Sequence, residues 1–147
     1  MFEERYVAVK ICPLVSTRQY FKCATEALIG IKNVNIVDIT DVQYDKTGTC
    51  FVIMEYVAGG DLLEYVQRRG RLSEVEALPI FTQLVAALQT SHAQGIYHLD
   101  LKPENILMDG SVVKLADFGT CLALDHLDYT YYHAGGRGGR GEGGGKD

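Results

Sequence analysis

Residues 98–105 read HLDLKPEN, and this stretch decides both the fold and the chemistry that the sequence predicts. A carboxylate, an ammonium group and an amide lie within six residues of one another, on a loop that a proline stiffens. Asp100 has the chemistry to orient a hydroxyl group and accept its proton, and Lys102 can neutralise phosphate charge. Asn105 offers an amide oxygen, a ligand type that suits Mg²⁺. The alternative is an ordinary polar loop, which eight residues of this identity make improbable.

Twelve residues after Asn105 the sequence reads DFG at 117–119, at the end of a segment that is predicted to be a strand. The Asp117 carboxylate is a second oxygen ligand suited to Mg²⁺, and the glycine lets the following backbone turn freely. A DFG triplet alone is weak evidence because three residues recur by chance. At this spacing after 98–105 the triplet is a strong signal, and its carboxylate could hold Mg²⁺.

Upstream, residues 7–10 read VAVK on an alternating, β-branched segment that predicts a strand. On a strand, Ala8 and Lys10 face the same side. A small alanine leaves room for a flat ligand, and the lysine offers a positive charge to a phosphate. Alone, this stretch would be an ordinary surface strand.

The remaining pattern predicts strands first and helices later. Strands are predicted at 6–11, 36–44, 50–56, 105–108 and 111–116, and helical spacing at 17–32, 61–69 and 73–94. Asp61 caps one helix, and Ser73 with Glu76 forms a capping box that begins the next. Asp109 and Gly110 predict a two-residue hairpin turn. This order of elements is typical of an α+β fold.

The three stretches, in this order and spacing, resemble the protein kinase family. Residues 51–63, FVIMEYVAGGDLL, are similar to the hinge that joins the two lobes of that family. The resemblance implies an α+β, protein kinase-like fold with a strand-rich small lobe and the first helices and catalytic loop of the large lobe. The implied organisation is a partial kinase domain at 1–134, with a small lobe at about 1–57, a hinge at about 54–61 and the start of the large lobe at about 62–134.

The resemblance also implies roles for the polar residues. Asp100 would be the catalytic base, and Lys102 would stabilise the γ-phosphate during transfer. Asn105 and Asp117 would hold Mg²⁺. Lys10 would pair with the α- and β-phosphates of ATP.

On the same resemblance, the adenine of ATP would lie between Ala8 and Leu107. Met54 would be the gatekeeper, and the backbones of Glu55 and Val57 would hydrogen-bond the adenine edge.

Two further nucleotide-binding positions follow from the resemblance: Asp61, which would reach the ribose, and Glu104 in the catalytic loop. The implied activity is ATP- and Mg²⁺-dependent phosphoryl transfer to serine or threonine hydroxyls of a protein substrate. The Lys-Pro-Glu-Asn form of the loop is typical of serine/threonine kinases rather than tyrosine kinases.

The sequence departs from the family pattern at both ends. The Gly-rich loop that should precede VAVK is missing, and no A-P-E follows Thr120. Either Ala24 or Glu26 occupies the helix position whose glutamate pairs with the strand lysine in this family. We therefore expect a truncated chain with negligible activity by itself. The alternative is a catalytically inactive kinase-like fragment that acts as an interaction module.

Composition bounds the remaining possibilities. A net charge of −5 argues against a nucleic-acid-binding protein, although the Gly- and Arg-rich end at 135–147 weakly resembles an RNA-binding segment. That end holds little to bury and is expected to be disordered. No run approaches the ~20 apolar residues of a spanning helix, so no membrane partner is expected. The four cysteines form no CxxC pair, which favours free thiols and a cytoplasmic, intracellular setting.

Overall fold

A computed structural model describes residues 6–12 and 28–119, together with the backbone of 122–123. The choice between Ala24 and Glu26, most of the helix expected at 17–32, and the glycine-rich end at 135–147 lie outside the described residues.

The first half of the chain forms a three-stranded antiparallel sheet. Its strands are β1 (Val7–Cys12), β2 (Ile39–Tyr44) and β3 (Cys50–Glu55), in the order β1-β3-β2. On β1, Ala8 and Lys10 share the less exposed face, as the alternation predicts, whereas the alternate residues Val7, Val9 and Ile11 are exposed. The predicted hairpin of β2 and β3 is confirmed.

Strand β2 begins at residue 39 rather than at the expected residue 36. Ile36 instead forms a parallel bridge with Leu115, and the Val37 N–H donates to the Leu115 carbonyl at 3.0 Å. The segment before β2 is therefore paired with a strand from the second half of the chain. A tertiary contact of this kind leaves no periodic signal in the sequence.

Two helices follow the sheet, and their ends match the capping signals. Helix α1 (Leu62–Arg69) begins where the Asp61 carboxylate accepts a hydrogen bond from the Glu64 N–H at 2.8 Å. Helix α2 (Glu74–Ala93) begins with the complete capping box of Ser73 and Glu76. Within the described residues, neither helix is long and apolar enough to cross a membrane.

Short strands complete the fold: β4 (Ile96–Tyr97) with β7 (Leu122–Ala123), and β5 (Ile106–Asp109) with β6 (Val112–Leu115). The expected turn at Asp109-Gly110 is shifted by one residue, because Asp109 pairs with Val112 and the loop is Gly110-Ser111. Gly110 has φ +60°, which suits the first loop position of a type II′ turn. The β4–β7 pair was not anticipated.

One hydrophobic core joins both halves of the chain, and the order of strands and helices confirms the predicted α+β class. The core runs from Val52 on the sheet through Leu115 on β6 to Leu84 on α2. Leu115 is fully buried. Burying a side chain of this size contributes about 1.5–3 kcal/mol, so the β5–β6 hairpin is firmly held against the sheet.

Candidate active site

The loop at 98–105 is anchored from within by His98, which is 2% exposed. The Asp100 N–H donates to His98 Nδ1 at 3.3 Å, so Nε2 carries the proton and donates to the Ala116 carbonyl at 2.8 Å. The ring also packs edge-on against Phe118, with 4.7 Å between centroids. His98 thereby ties the loop to the segment that carries Asp117.

Asp100 lies at the centre of a small polar cluster on this loop. Its Oδ2 accepts hydrogen bonds from Lys102 Nζ at 2.7 Å and from Asn105 Nδ2 at 3.2 Å. The hydrogen bond from Lys102 lowers the pKa of Asp100, and the same contact raises the pKa of Lys102. Both groups are therefore charged at neutral pH, and the carboxylate is an acceptor that an approaching hydroxyl could use.

Two residues of the site hold backbone conformations that side chains seldom adopt. Leu99 has φ +60° and Asp117 has φ +55°. Each such residue costs on the order of 1–3 kcal/mol and persists only where the surroundings enforce it. The contacts of His98 supply that enforcement, because they hold the loop on one side and Ala116 on the other.

Lys10 reaches Asp117 across the cleft between the sheet and the β5–β6 hairpin. Its Nζ donates to Asp117 Oδ1, which also accepts the Gly119 N–H at 3.0 Å. Burial would raise the pKa of Asp117, but the hydrogen bond and charge of Lys10 outweigh it, so the pKa is lowered. Lys10 and Asp117, predicted separately from two distant motifs, are thus brought together as one ion pair. We call Lys10, Asp100, Lys102 and Asp117 the ionic cluster.

A small cavity of about 30 Å³ lies behind this ion pair. Its walls come from the sheet, the segment before β2 and the residues around Asp117: Lys10, Val37, Ile39, Val52, Met54, Ala116, Asp117, Phe118 and Gly119. The predicted gatekeeper Met54 therefore does line the inner end of the cleft. Ala8 and Leu107 lie outside this set of lining residues.

The segment between the sheet and α1 is bound closely to β5. The Met108 N–H donates to the Gly60 carbonyl at 2.9 Å, and Asp61 forms a bridge with Leu107. A Cβ at Gly59 would lie 1.9 Å from the Met108 carbonyl oxygen, so only glycine fits there. The hinge predicted at about 54–61 thus lies against the strand that carries Leu107.

The other predicted nucleotide-binding residues lie near this hinge or on the loop. Ala8 lies opposite Met54 in the β1–β3 register, and Val57 is partly buried in the hinge segment. The observed partner of the Asp61 carboxylate is the first turn of α1, as its capping role predicted. Glu104 is exposed in a 3₁₀ turn, Pro103–Asn105, close enough to Lys102 to contribute to its raised pKa.

The donor set fits a hard cation such as Mg²⁺. Asn105 is 6% exposed, and its amide nitrogen is committed to the Asp100 carbonyl at 2.8 Å, which leaves Oδ1 for a ligand. The Ala116 N–H donates to the Asn105 carbonyl at 2.8 Å, and Ala116 directly precedes Asp117. Among the described residues no cluster of three or more His, Cys, Asp or Glu could hold a metal. Asn105 Oδ1 and the Asp117 carboxylate are oxygen donors that could hold Mg²⁺ together with phosphate oxygens and water.

The contact between the side chains of Glu55 and Lys114 was not predicted from the sequence. Glu55 was assigned a role only through its backbone, yet its Oε1 binds Lys114 Nζ at 2.8 Å. A lysine between the buried residues Val113 and Leu115 was the available signal, because strand alternation places it on the opposite face. Its partner, 59 residues away, could not be read from spacing.

The sequence model of the family described as "Protein kinase domain" matches residues 3–134. CBL-interacting serine/threonine-protein kinase 9 of Arabidopsis thaliana is 43% identical over 90 residues, which are 60% of this chain and 20% of that protein. CBL-interacting protein kinase 15 of Oryza sativa subsp. japonica is 48% identical over 86 residues, 58% of this chain and 20% of that protein. The chain spans about a fifth of the length of these relatives.

A solved structure of Rad53 1-466 in complex with AMP-PNP has a similar fold. It superimposes with a TM-score of 0.69 and 33% sequence identity, over 76% of this chain and 30% of that chain. The family match covers all of the described residues, and the HLDLKPEN loop and DFG segment meet in one site. On these findings the chain belongs to the protein kinase family.

Proposed function

We propose that this chain carries the catalytic elements of a serine/threonine-protein kinase, which transfers the γ-phosphoryl group of ATP to a protein hydroxyl. The observation that carries the proposal is the joining of two motifs: Asn105 hydrogen-bonds Asp100, and its carbonyl accepts from the residue before Asp117. A proton acceptor and two oxygen ligands for a metal are thereby held on adjoining backbone. This arrangement suits phosphoryl transfer, which relies mainly on positioning and charge stabilisation.

In the proposed step, the Asp100 carboxylate accepts the proton of the substrate hydroxyl. The hydroxyl oxygen then bonds to the γ-phosphorus while the bond from that phosphorus to the oxygen of ADP breaks. The Lys102 ammonium, which lies 2.7 Å from Asp100, stabilises the transferring group. Mg²⁺, held by Asn105 and Asp117, would offset the negative charge of the phosphates.

Lys10 has a different role on the nucleotide side. Its ammonium now pairs with Asp117, so binding of a phosphate would exchange one anionic partner for another. The Glu55 N–H is bonded to the Asp38 carbonyl at 3.0 Å, so the adenine contact of Glu55 falls to its own carbonyl oxygen. We propose that Val57 supplies a backbone partner to the adenine edge and that Met54 closes the inner end of the cleft.

The remaining nucleotide contacts are proposed from where the residues lie around the cleft. Ala8 and Leu107 would cover the two faces of the adenine, and the Asp61 carboxylate would reach the ribose with the oxygen that does not cap α1. Glu104 would contribute from the catalytic loop. An adenine nucleotide as ligand is supported by the similar structure of Rad53, which is a complex with AMP-PNP. A serine or threonine acceptor is supported by the name of the Arabidopsis relative.

The test uses the full natural protein with Mg²⁺, labelled ATP and a generic protein substrate. Asp100→Asn should abolish transfer while leaving the affinity for Mg²⁺-ATP within a few fold, because Asp100 acts on the hydroxyl. Asp117→Asn should weaken Mg²⁺-ATP binding as well as transfer. Undiminished transfer by Asp100→Asn would contradict the proposal, and so would a natural protein that binds no ATP.

A further inference from the structure

Lys114 is a largely buried charge that the proposed reaction does not use. Its side chain is 12% exposed on β6, and its Nζ binds Glu55 Oε1 at the end of β3, at 2.8 Å. Removing an ammonium group from water is unfavourable unless a close anion compensates for it. Among the described residues, Glu55 is that anion. The pair joins the sheet to the β5–β6 hairpin.

The Glu55 carboxylate also closes a ring of contacts around the hinge side of the cleft. Its Oε1 accepts the Asp38 N–H at 2.7 Å, and the Glu55 N–H donates to the Asp38 carbonyl at 3.0 Å. The preceding segment is bonded in turn to β6, where the Leu115 N–H donates to the Asn35 carbonyl at 2.8 Å. The ring therefore runs from β3 through residues 35–38 to β6, and back to β3 through Lys114.

This pair and the Lys10–Asp117 pair are two different links between the sheet and the segment that runs from β6 to Asp117. On the sheet, Lys10 is opposite Val52 in the register, and Glu55 lies three residues further along β3. On the other side, Lys114 precedes Asp117 by three residues. Three residues of strand span roughly 10 Å, so the two pairs are separate connections between the same two parts.

The two connections differ in exposure. The side chains of Lys10 and Asp117 are 38% and 42% exposed, whereas those of Lys114 and Glu55 are 12% and 30% exposed. The first pair must separate when Lys10 turns to a phosphate and Asp117 to a metal. The second pair is less exposed, and neither of its residues lines the cavity behind Lys10 and Asp117.

We infer that Glu55 and Lys114 form a positioning pair that holds β6, and with it Asp117, in register with the sheet when Lys10 leaves Asp117. The two side chains act through the backbone of residues 115–117 and have no proposed contact with nucleotide or substrate, since only the backbone carbonyl of Glu55 is proposed to meet the adenine. The expected effect of the pair on ATP binding rests on the proposed function. Its expected effect on the backbone of residues 115–117 rests on geometry alone.

The backbone effect has local reporters. The N–H groups of Leu115, Ala116 and Gly119 donate to Asn35, Asn105 and Asp117 respectively, so their hydrogen exchange reports the position of this segment. In the full natural protein without nucleotide, Lys114→Met should raise exchange at these amides about tenfold, through local opening. Glu55→Gln, which retains an acceptor for the Asp38 N–H, should act in the same direction. Lys114→Arg should restore protection because it keeps the charge.

The matched control is Lys32→Met. Lys32 binds both oxygens of the Asp38 carboxylate, at 2.6 and 2.7 Å, but its side chain is 71% exposed. Loss of this solvent-exposed pair beside the same ring should leave exchange at the three amides within about twofold of the natural protein. An equal rise in Lys32→Met and Lys114→Met would overturn the inference.

The kinetic arm measures KM for ATP and kcat separately. Lys114→Met and Glu55→Gln should each raise KM about tenfold, a change of about 1.4 kcal/mol. The double variant should be no worse than either single variant, because one interaction is lost. Unchanged or lower KM with unchanged exchange, in variants that remain folded, would overturn the inference. If the natural protein binds no ATP, the proposed function fails, and the exchange measurement still decides whether the pair positions β6.

Discussion

The ionic cluster and the groups behind it differ sharply in burial. Its four side chains are between 38% and 45% exposed, whereas His98 is 2% exposed and the Lys114 side chain 12%. Exposed ion pairs typically contribute 0–1 kcal/mol to stability, and unpartnered buried polar groups cost considerably more. The residues placed to react and the residues that hold the fold are therefore different, although short backbone segments connect them. Substitutions should therefore separate activity from stability.

The largest expected effect is on activity, at Lys10. Lys10→Met in the full natural protein should lower kcat/KM for ATP by about 10²–10³-fold, because it removes a charge proposed to meet the phosphates. Its free energy of unfolding should change by less than about 1 kcal/mol, since the pair with Asp117 is exposed. Steady-state kinetics and urea unfolding on the same preparations check this. A large loss of stability in Lys10→Met would contradict the distinction between the exposed ionic cluster and the buried groups that hold the fold.

The opposite result is expected at His98. His98→Leu leaves the Ala116 carbonyl and the Asp100 N–H without their observed partner, so the free energy of unfolding should fall by about 2–3 kcal/mol. His92→Leu is the control, since His92 is exposed and stacks on Tyr97 with 4.7 Å between ring centroids. Equal losses in the two variants, measured by urea unfolding, would refute the anchoring role of His98.

The sequence predicted those features that depend on local spacing. Both helices begin at their expected caps, Asp61 and Ser73, because a cap and the N–H it accepts are only three residues apart. The site was predicted as separate motifs whose members do meet, as in the pair of Lys10 with Asp117. Spacing could not predict which atoms would bond across the cleft. The Glu55–Lys114 pair was missed for that reason.

Smaller errors have the same origin. The beginning of β2 and the turn of the β5–β6 hairpin were each misplaced by one to three residues. Ile36 pairs with Leu115 and is therefore not part of β2, which begins later. Asp109 pairs with Val112 and therefore extends β5 by one residue. Propensity sets the type of an element, and tertiary pairing sets its limits.

An intermediate effect on stability and on KM is expected at Gly59 in the hinge. A steric clash there can be compared with a backbone strain at another glycine. Gly59→Ala would place a Cβ 1.9 Å from the Met108 carbonyl oxygen, so the hinge must shift, at a cost of about 1–3 kcal/mol. Because the hinge is proposed to bind adenine, KM for ATP should rise as well. Gly70→Ala is the control: it has open space but φ +84°, so it should lower stability without changing KM. A normal KM in Gly59→Ala would show that this hinge does not position the nucleotide.

The smallest expected effect is at the capping box of α2, which contains no residue of the ionic cluster. Ser73→Ala removes the side-chain cap and should cost about 1 kcal/mol of stability with no change in KM. The effect also has a pH signature. The Ser73 N–H and hydroxyl, and then Arg69, lower the pKa of Glu76 from 4.5. The contribution of Glu76 is therefore complete above the unfolded pKa and is lost as pH falls through the folded pKa.

Glu76→Gln isolates this titration, because glutamine also fits a capping box but carries no charge. Unfolding measured from pH 7 down to about pH 3 should show a smaller loss of stability in Glu76→Gln than in the natural protein, because the acid-dependent contribution of one carboxylate is gone. The two curves should converge toward the acid end, where Glu76 is protonated in both the folded and the unfolded protein. Parallel curves across the whole range would mean that the hydrogen bonds of the cap, and not the charge, account for the stability of this helix end.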